Sequence, residues 1–230
     1  MSASKNPIPA HHWPQQSPIN LTKADSINVN FPKSFLKFDY RGSPFTGRFD
    51  GEGKHKNFVL SKTHSGKNPP VVHLGDVRAE LVMIHLHTPS EHDIEGKTMG
   101  GEIHLIHEIS EPTTGSQLIV VGVLFNETPA TEESEFFSMW AHHLTKKGVA
   151  KDAEKEISLD PRVLLPNLDH WYRYEGSLTS APYSEFVSWI VLVDQLAVDS
   201  TEFQKLKKNA HQPDRRVQPI NRRFVIRNFR

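Results

Sequence analysis

Short apolar runs, many of them alternating with polar residues, recur along most of the chain and are separated by Pro, Gly, Asn and Ser. Alternation with a period of two is typical of strands with one buried face, and short apolar runs between turn residues are typical of buried strands. The pattern predicts strands over residues 57–60, 79–87, 102–109, 118–125, 186–193 and 224–226.

Two segments instead repeat their apolar residues at helical spacing. The first, residues 133–145, ends before Gly148, and the second, residues 200–208, begins at an Asp-Ser-Thr cap. The inward-facing residues are Phe136, Phe137, Trp140 and Leu144 in the first helix and Phe203 and Leu206 in the second. The sequence contains no internal repeat and no linker, so we predict a single β-rich α+β domain.

Three histidines lie on two neighbouring predicted strands. His85 and His87 are two residues apart in one strand and therefore point to the same face. His104 lies in the next strand and can join them if the two strands pair. Three neutral imidazoles that converge on one point form an open tetrahedral zinc site, with the fourth position left for water. A lone His-x-His pair is more often a surface pair, but Glu102 shares the face of His104 and can accept its ring N–H.

The segments IHLHTPSEH at residues 84–92 and GEIHLIH at residues 101–107 resemble the zinc core of the alpha-class carbonic anhydrases. Five further blocks match this family in the same order, and seven ordered blocks are a specific signal. The further blocks are Gln16–Asn20, Leu118–Phe125, Tyr174–Thr179, Glu185–Val191 and Gln218–Arg222. The resemblance implies a large, mostly antiparallel central sheet with short peripheral helices. It places the catalytic domain at residues 13–230, after a poorly ordered N-terminal extension at residues 1–12.

Reversible hydration of CO₂ to bicarbonate and a proton is the activity that the resemblance implies. Zn²⁺ held by three neutral histidines lowers the pKa of bound water to near 7, so a zinc-bound hydroxide can attack CO₂. By resemblance, Thr179 orients this hydroxide and passes its own proton towards Glu91. His92, next to Glu91, adds a further polar group behind the ligands, whereas His107 has an odd offset from His104 and is expected to face away. Sulfonamides and small anions are expected to inhibit by occupying the open zinc position.

The remaining site predictions concern the substrate and the proton. CO₂ has no net dipole and suits an apolar pocket. The proton must leave through a group with a pKa near 7, for which His is best suited. Lys54 aligns with the family's shuttle position, and His55, one step along, is our candidate shuttle. His64 and the lack of an efficient internal shuttle are the alternatives. By resemblance the pocket walls are Ile106, Val120, Leu178 and Trp189.

Two alternative functions remain open, one because of Met83 and the other because of the spacing of the histidines and Glu91. Met83 stands where the family has a Gln that accepts the ring N–H of His85, and a thioether is a poor acceptor. One alternative is a catalytically weak, carbonic-anhydrase-like binding protein. The other is a cupin-type metalloenzyme, because His85-x-His87-x-x-x-Glu91 has the cupin spacing, with Glu91 as a ligand. A cupin would, however, require Gly where this chain has Ala79.

The composition of the chain argues against nucleic acid and membrane as binding partners. The chain has 27 basic and 27 acidic residues, so no overall field attracts nucleic acid or membrane, and no apolar run reaches the length of a membrane span. Six arginines from Arg215 to Arg230 are interpreted as a solvated edge, and the sequence leaves the oligomeric state open. The lack of cysteine and of an apolar stretch after Met1 favours the cytoplasm, as does Tyr183, which stands where many secreted members carry a disulfide cysteine. A trimmed signal peptide would instead mean a secreted or periplasmic protein.

Overall fold

The computed structural model describes residues 13–51, 57–62, 68–111, 115–129, 134–145, 156–210 and 215–230. These ranges contain two α-helices, α1 (Glu135–Thr145) and α2 (Ser200–Asn209), and a short 3₁₀-helix at Pro161–Leu164. Their strands are β1 (Asn20–Leu21), β2 (Ser26–Asn28), β3 (Leu36–Asp39), β4 (Phe45–Asp50), β5 (Asn57–Leu60), β6 (Val71–Leu74), β7 (Val77–His87), β8 (Asp93–Ile94), β9 (Lys97–Thr98), β10 (Gly101–Ile109), β11 (Leu118–Glu127), β12 (Ile157–Leu159), β13 (Trp171–Gly176), β14 (Val187–Val198) and β15 (Val225–Arg227).

A mixed sheet of 12 strands dominates the described part of the chain. Its strands follow the order β12-β4-β5-β7-β10-β11-β14-β13-β15-β2, with β6 also paired to β7 and β3 paired to β6. Most neighbours are antiparallel, whereas β14 pairs with β11 and β2 pairs with β15 in parallel. A small second sheet joins β1, β8 and β9. The predicted β-rich class, with a large central sheet and short helices, is confirmed.

The sequence pattern of β7 and β10 explains where the polar side chains go. Side chains alternate between the two faces of a strand. The apolar residues of one face, which enter the larger core, are Ile84, Leu86, Ile103 and Leu105. The polar residues between them, including the three histidines, therefore project to the opposite face. That face also holds the smaller of the two apolar clusters, which contains Trp189 and Tyr174.

Both helices pack on the larger core. The inward-facing residues predicted for α1 and α2 are all buried there. The Asp199 side chain caps α2 by accepting a hydrogen bond from Thr201 N at 2.7 Å, which satisfies a free helix N–H. Neither helix in the described ranges is long and apolar enough to cross a membrane.

Three of the six C-terminal arginines differ from the predicted solvated edge, whereas Arg216, Arg222 and Arg230 are exposed as predicted. Arg215, Arg223 and Arg227 are half-buried, and each donates to backbone carbonyls of distant segments. Arg227 lies in β15, which is paired on both sides, with β13 and with β2, so its side chain reaches the segment at Ser26 rather than water. Residues 1–12 lie outside the described ranges, and the predicted extension stays a prediction.

Candidate metal centre

The pairing of β7 with β10 brings the three histidines together. The register sets His104 opposite His85 and Glu102 opposite His87. The ring centroids lie 4.9 Å apart for His85 and His87, 4.9 Å for His85 and His104, and 4.8 Å for His87 and His104. Two adjacent strands thus supply three imidazoles to one point, as the alternation predicted.

The nitrogen atoms of this cluster are close enough together to hold a metal ion, and one pair lies near the separation that zinc requires. His85 Nε2 lies 3.0 Å from His104 Nδ1, and one ring nitrogen from each histidine lies within 4.8 Å of the others. Tetrahedral zinc with Zn–N bonds near 2.0–2.1 Å would separate two ligand nitrogens by about 3.3 Å. The set is all nitrogen and mostly buried, which suits Zn²⁺ better than hard cations that take oxygen ligands. The three histidines therefore fit a zinc ion.

Glu102 fixes the orientation of His104. Its carboxylate is fully buried, with Oε1 3.1 Å from His104 Nε2, so the opposite nitrogen, Nδ1, is left for the metal. Oε2 accepts the backbone N–H groups of Glu91 at 3.0 Å and His92 at 2.9 Å. Burial raises the pKa of this carboxyl, but the charges and hydrogen bonds of His92 and His104 outweigh burial and hold the pKa well below its usual range. Glu102 is thus an ionised acceptor.

A chain of buried polar groups extends behind Glu102. His92 Nδ1 lies 2.7 Å from Glu102 Oε1, and His92 Nε2 lies 2.6 Å from the Tyr174 hydroxyl. Tyr174 donates in turn to Ser17 Oγ at 2.9 Å, and Ser17 N donates to Ser177 Oγ at 2.9 Å. Sequence reasoning missed Tyr174, Ser17 and Ser177. They lie in matched blocks, but nothing local in the sequence indicates that these blocks touch.

Gly122 is a fourth residue that sequence reasoning missed. It lies opposite His104 in β11, and a Cβ at this position would lie 2.5 Å from Glu102 Oε1. Real Cβ atoms do not approach an oxygen so closely, so any side chain here must displace the carboxylate that supports His104.

Glu91 and Thr179 meet beside the histidines. Glu91 Oε2 lies 3.5 Å from His87 Nε2 and 3.9 Å from His104 Nε2, and both Glu91 and Thr179 are buried. Burial raises the pKa of the Glu91 carboxyl, while the charge of His104 and a hydrogen bond from Thr179 act to lower it. Neither carboxyl oxygen has a partner of full hydrogen-bond geometry in the described ranges. Burial prevails over these opposing effects, and the pKa of the Glu91 carboxyl is raised.

The family comparison accounts for this arrangement. The family model for eukaryotic-type carbonic anhydrase matches residues 4–230. The chain belongs to the alpha carbonic anhydrase family. This family is zinc-dependent, and the match begins inside the predicted N-terminal extension. Membership also excludes the cupin alternative, in which Glu91 would have been a metal ligand.

Individual relatives place the chain within this family. Alpha carbonic anhydrase 3 of Arabidopsis thaliana is 30% identical over 219 residues, which cover 93% of this chain and 74% of that protein. The crystal structure of dioscorin complexed with ascorbate is 25% identical, with a TM-score of 0.75 and coverage of 93% of this chain and 85% of that one. The alpha-carbonic anhydrase of Thermovibrio ammonificans, in complex with the inhibitor sulfanilamide, is 26% identical, with a TM-score of 0.71 and coverage of 92% and 86%.

The four residues predicted for the carbonic anhydrase substrate pocket share the smaller apolar cluster. Ile106, Val120 and Trp189 are buried, and Leu178 packs against them. The Trp189 ring centroid lies 4.9 Å from that of His104, and Trp189 Nε1 donates to the backbone O of Ser177 at 3.0 Å. The structure thus brings an apolar wall to the edge of the histidine cluster.

His107 lies away from the cluster, on the other side of β10. Its Nε2 lies 2.6 Å from the Tyr40 hydroxyl, and its Nδ1 lies 3.2 Å from the carbonyl oxygen of Ile119. Burial lowers the pKa of His107 to about 4, so the ring is neutral at pH 7. One nitrogen donates to the carbonyl and the other accepts from the tyrosine. His107 therefore holds strands together rather than binding metal.

Two predictions about the site remain, namely the proton shuttle and the effect of Met83 beside His85. The candidate shuttle His55, together with Lys54 and His64, lies outside the described residues. Met83 shares the face of β7 that carries His85, and its side chain packs against the smaller apolar cluster.

Proposed function

We propose that this protein is a zinc-dependent carbonic anhydrase that reversibly hydrates CO₂ to bicarbonate and a proton. The observation that carries the proposal is the convergence of His85 Nε2 and His104 Nδ1 at 3.0 Å, with His87 in the same cluster, next to Thr179 and an apolar wall. When bound, Zn²⁺ acts as a Lewis acid that makes a hydroxide nucleophile available near neutral pH.

The three histidines would hold the ion as neutral ligands. Burial lowers the pKa of His104, but the charges of Glu102 and Glu91 outweigh burial, and the net direction is upward. To serve as a ligand, His104 would have to be deprotonated at Nδ1, because a histidine binds metal only through a deprotonated nitrogen, while Nε2 would keep its proton towards Glu102. His85 and His87 would bind through Nε2 and His104 through Nδ1, since His104 Nε2 faces Glu102 Oε1 at 3.1 Å.

Thr179 and Glu91 would orient the nucleophile. A threonine hydroxyl can accept one hydrogen bond and donate another. If Thr179 donates to the ionised carboxylate of Glu91, its lone pair must accept the proton of the attacking hydroxyl. The lone pair of the nucleophile then points at the carbon of CO₂, which reduces the entropy cost of the attack.

Ile106, Val120, Leu178 and Trp189 would bind CO₂ without hydrogen bonds. These side chains bury apolar surface beside the ligands, so a molecule with no net dipole loses little by leaving water there. Bicarbonate is charged, and the same apolar wall favours its replacement by water at the end of the reaction.

A carbonic-anhydrase-like binding protein with little catalysis is the second candidate. The observation that favours it is the likeness to dioscorin, whose solved structure contains ascorbate. In that case the histidine cluster and the apolar wall would serve to bind a small molecule.

Two measurements on metal-replete protein decide between the candidates. We expect one zinc per chain by inductively coupled plasma mass spectrometry and a CO₂ hydration rate by stopped flow that sulfanilamide abolishes. The sulfanilamide complex of the T. ammonificans relative supports this choice of probe. Stoichiometric zinc without hydration above the buffer rate would favour the binding protein.

A further inference from the structure

The loop that carries Thr179 connects β13 to β14 and is closed by its own backbone. Leu178 N donates to Ser184 O at 3.0 Å, and Tyr183 N donates to Ser180 O at 2.9 Å. Tyr183 has a φ of 60°, in the left-handed region that is unfavourable for residues other than glycine. Such a residue keeps its conformation only when the surrounding structure holds it.

The end of the loop before Thr179 is anchored in the buried network. Ser177 N donates to Ser17 Oγ at 3.1 Å, and Ser177 O accepts from Trp189 Nε1 at 3.0 Å. These contacts fix the chain up to Ser177, but they do not reach the strained residue on the other side of Thr179.

The end after Thr179 is held by Gln16 and Arg215. Gln16 Nε2 donates to the backbone O of Tyr183 at 3.2 Å and to Glu185 Oε1 at 2.6 Å. Arg215 Nη1 donates to Gln16 Oε1 at 2.7 Å and to Ser17 O at 3.1 Å. The amide of Gln16 is thereby fixed in one orientation, because its oxygen faces the arginine and its nitrogen faces the loop.

Arg215 also contacts Tyr183 directly. Its guanidinium carbon lies 4.0 Å from the centre of the Tyr183 ring. A planar guanidinium can lie over an aromatic face and donate hydrogen bonds from its edge at the same time, whereas the compact ammonium of lysine cannot reproduce both contacts. The Arg215 side chain thus contacts the ring of Tyr183 directly and its backbone through Gln16.

We propose that Arg215 is a positioning residue for the hydration reaction, holding Tyr183 in its left-handed conformation and so keeping Thr179 beside Glu91. For its catalytic consequence this inference rests on the proposed function. Without Arg215, Tyr183 is free to relax to an ordinary backbone conformation. Thr179, four residues earlier in the same closed loop, then loses its alignment with Glu91.

Amide hydrogen exchange tests whether Arg215 orders the loop, which is the structural half of the inference. This measurement depends neither on bound zinc nor on catalytic activity. The comparison uses Arg215→Ala and Arg215→Lys, with Arg216→Ala as the matched control, because the exposed Arg216 side chain makes no hydrogen bond or ion pair with another described residue. We expect exchange in peptides covering residues 178–186 to rise about tenfold in Arg215→Ala, less in Arg215→Lys and not at all in Arg216→Ala. Wild-type exchange in Arg215→Ala would overturn the inference.

A double-mutant cycle tests the catalytic half. We expect Arg215→Ala to keep full zinc content and to lower kcat for CO₂ hydration about tenfold. In a Thr179→Ala background the same substitution should lower kcat no further, because it acts through Thr179. A second tenfold loss in the double variant would overturn the positioning role. A wild type without hydration activity would overturn the proposed function and this half together, and the exchange experiment would still decide whether Arg215 orders the loop.

Discussion

His92 Nδ1 lies 2.7 Å from Glu102 Oε1, the same oxygen that faces His104 Nε2 at 3.1 Å. The carboxylate that supports a candidate metal ligand is therefore itself held by a second imidazole, and two backbone N–H groups bind its other oxygen. The orientation of His104 is built into the buried interior before any metal arrives, which reduces the ordering cost of metal binding.

Substitution of Glu102 should weaken zinc binding while leaving all three ligands in place. Glu102→Gln removes the charge that favours the N–H of His104, and we expect zinc affinity to fall by about 10- to 100-fold. Competition with a chromophoric chelator measures this affinity. An unchanged dissociation constant would contradict the supporting role of Glu102.

Gly122→Ala should produce the same loss by sterics alone. The new Cβ would lie 2.5 Å from Glu102 Oε1, so the carboxylate must move away from His104. In a Glu102→Ala background the same change should cost little further zinc affinity, because the group that it displaces is gone. Equal losses in both backgrounds would show that Gly122→Ala acts elsewhere.

Removal of one histidine of the cluster should abolish metal binding and activity together. His104→Ala leaves two ligands, too few for a stable zinc site, and we expect substoichiometric zinc by mass spectrometry and no hydration above the buffer rate. His170→Ala is the matched control, because His170 lies outside the cluster and is about half exposed, at 48% of its side chain. Full zinc occupancy in His104→Ala would refute the proposed ligand set.

Thr179→Ala should separate chemistry from metal binding. The variant keeps the three histidines but loses the hydroxyl that orients the nucleophile, and we expect full zinc content with hydration reduced about 100-fold. Thr179→Ser retains the hydroxyl and is expected to retain most of the rate. Wild-type kinetics in Thr179→Ala would remove Thr179 and Glu91 from the mechanism.

Acid should destabilise the fold partly through His107. Its pKa in the folded protein is about 4, below the ordinary value of 6.5, so the unfolded chain binds the extra proton between these values. Stability is therefore fully present above pH 6.5 and falls as the pH drops towards 4, by about 3 kcal/mol from this residue. In His107→Gln this component disappears, so urea unfolding should depend less steeply on pH in this window. Equal slopes in the wild type and in His107→Gln would contradict the assignment.

Proton export is tested by the buffer dependence of turnover. If His55 is the shuttle, His55→Ala makes kcat rise with buffer concentration, and added imidazole restores the rate, because buffer then carries the proton. The exchange of CO₂ with bicarbonate at equilibrium should stay nearly unchanged. A wild type that already depends on buffer, with no change in His55→Ala, would mean that the chain lacks an efficient internal shuttle.

The strands and the cluster could be predicted because their signals are local. Alternation in β7 and β10 set His85, His87 and His104 on one face, and the odd offset of His107 set it on the other. The contacts behind the cluster join residues far apart in sequence, such as Ser17 with Ser177. No local pattern encodes these contacts, nor the role of Gly122, which depends on where a carboxylate of the adjacent strand ends.

The environment of the C-terminal arginines also could not be predicted from local sequence. Charge pattern alone predicted a solvated edge, but Arg227 binds Ser26 and Arg215 binds Ser17 and Gln16. Whether a basic side chain faces water depends on which distant segment lies beside it. The pairing of β15 with β2 sets Arg227 against Ser26, and the segment at Gln16 and Ser17 lies beside Arg215.

The parallel pairing of β2 with β15 joins the two ends of the chain, since Ser26 lies opposite Val225. During synthesis the ribosome releases residues from the N-terminus onwards at about 5–20 per second, so the early segment must wait for its partners. Strands β7 and β10 can pair soon after they emerge, but Tyr174 and Arg215 arrive much later. Strands β7 and β10 can therefore pair on the nascent chain before Tyr174 and Arg215 have been synthesised, and contacts of such long sequence separation are typical of slowly folding proteins.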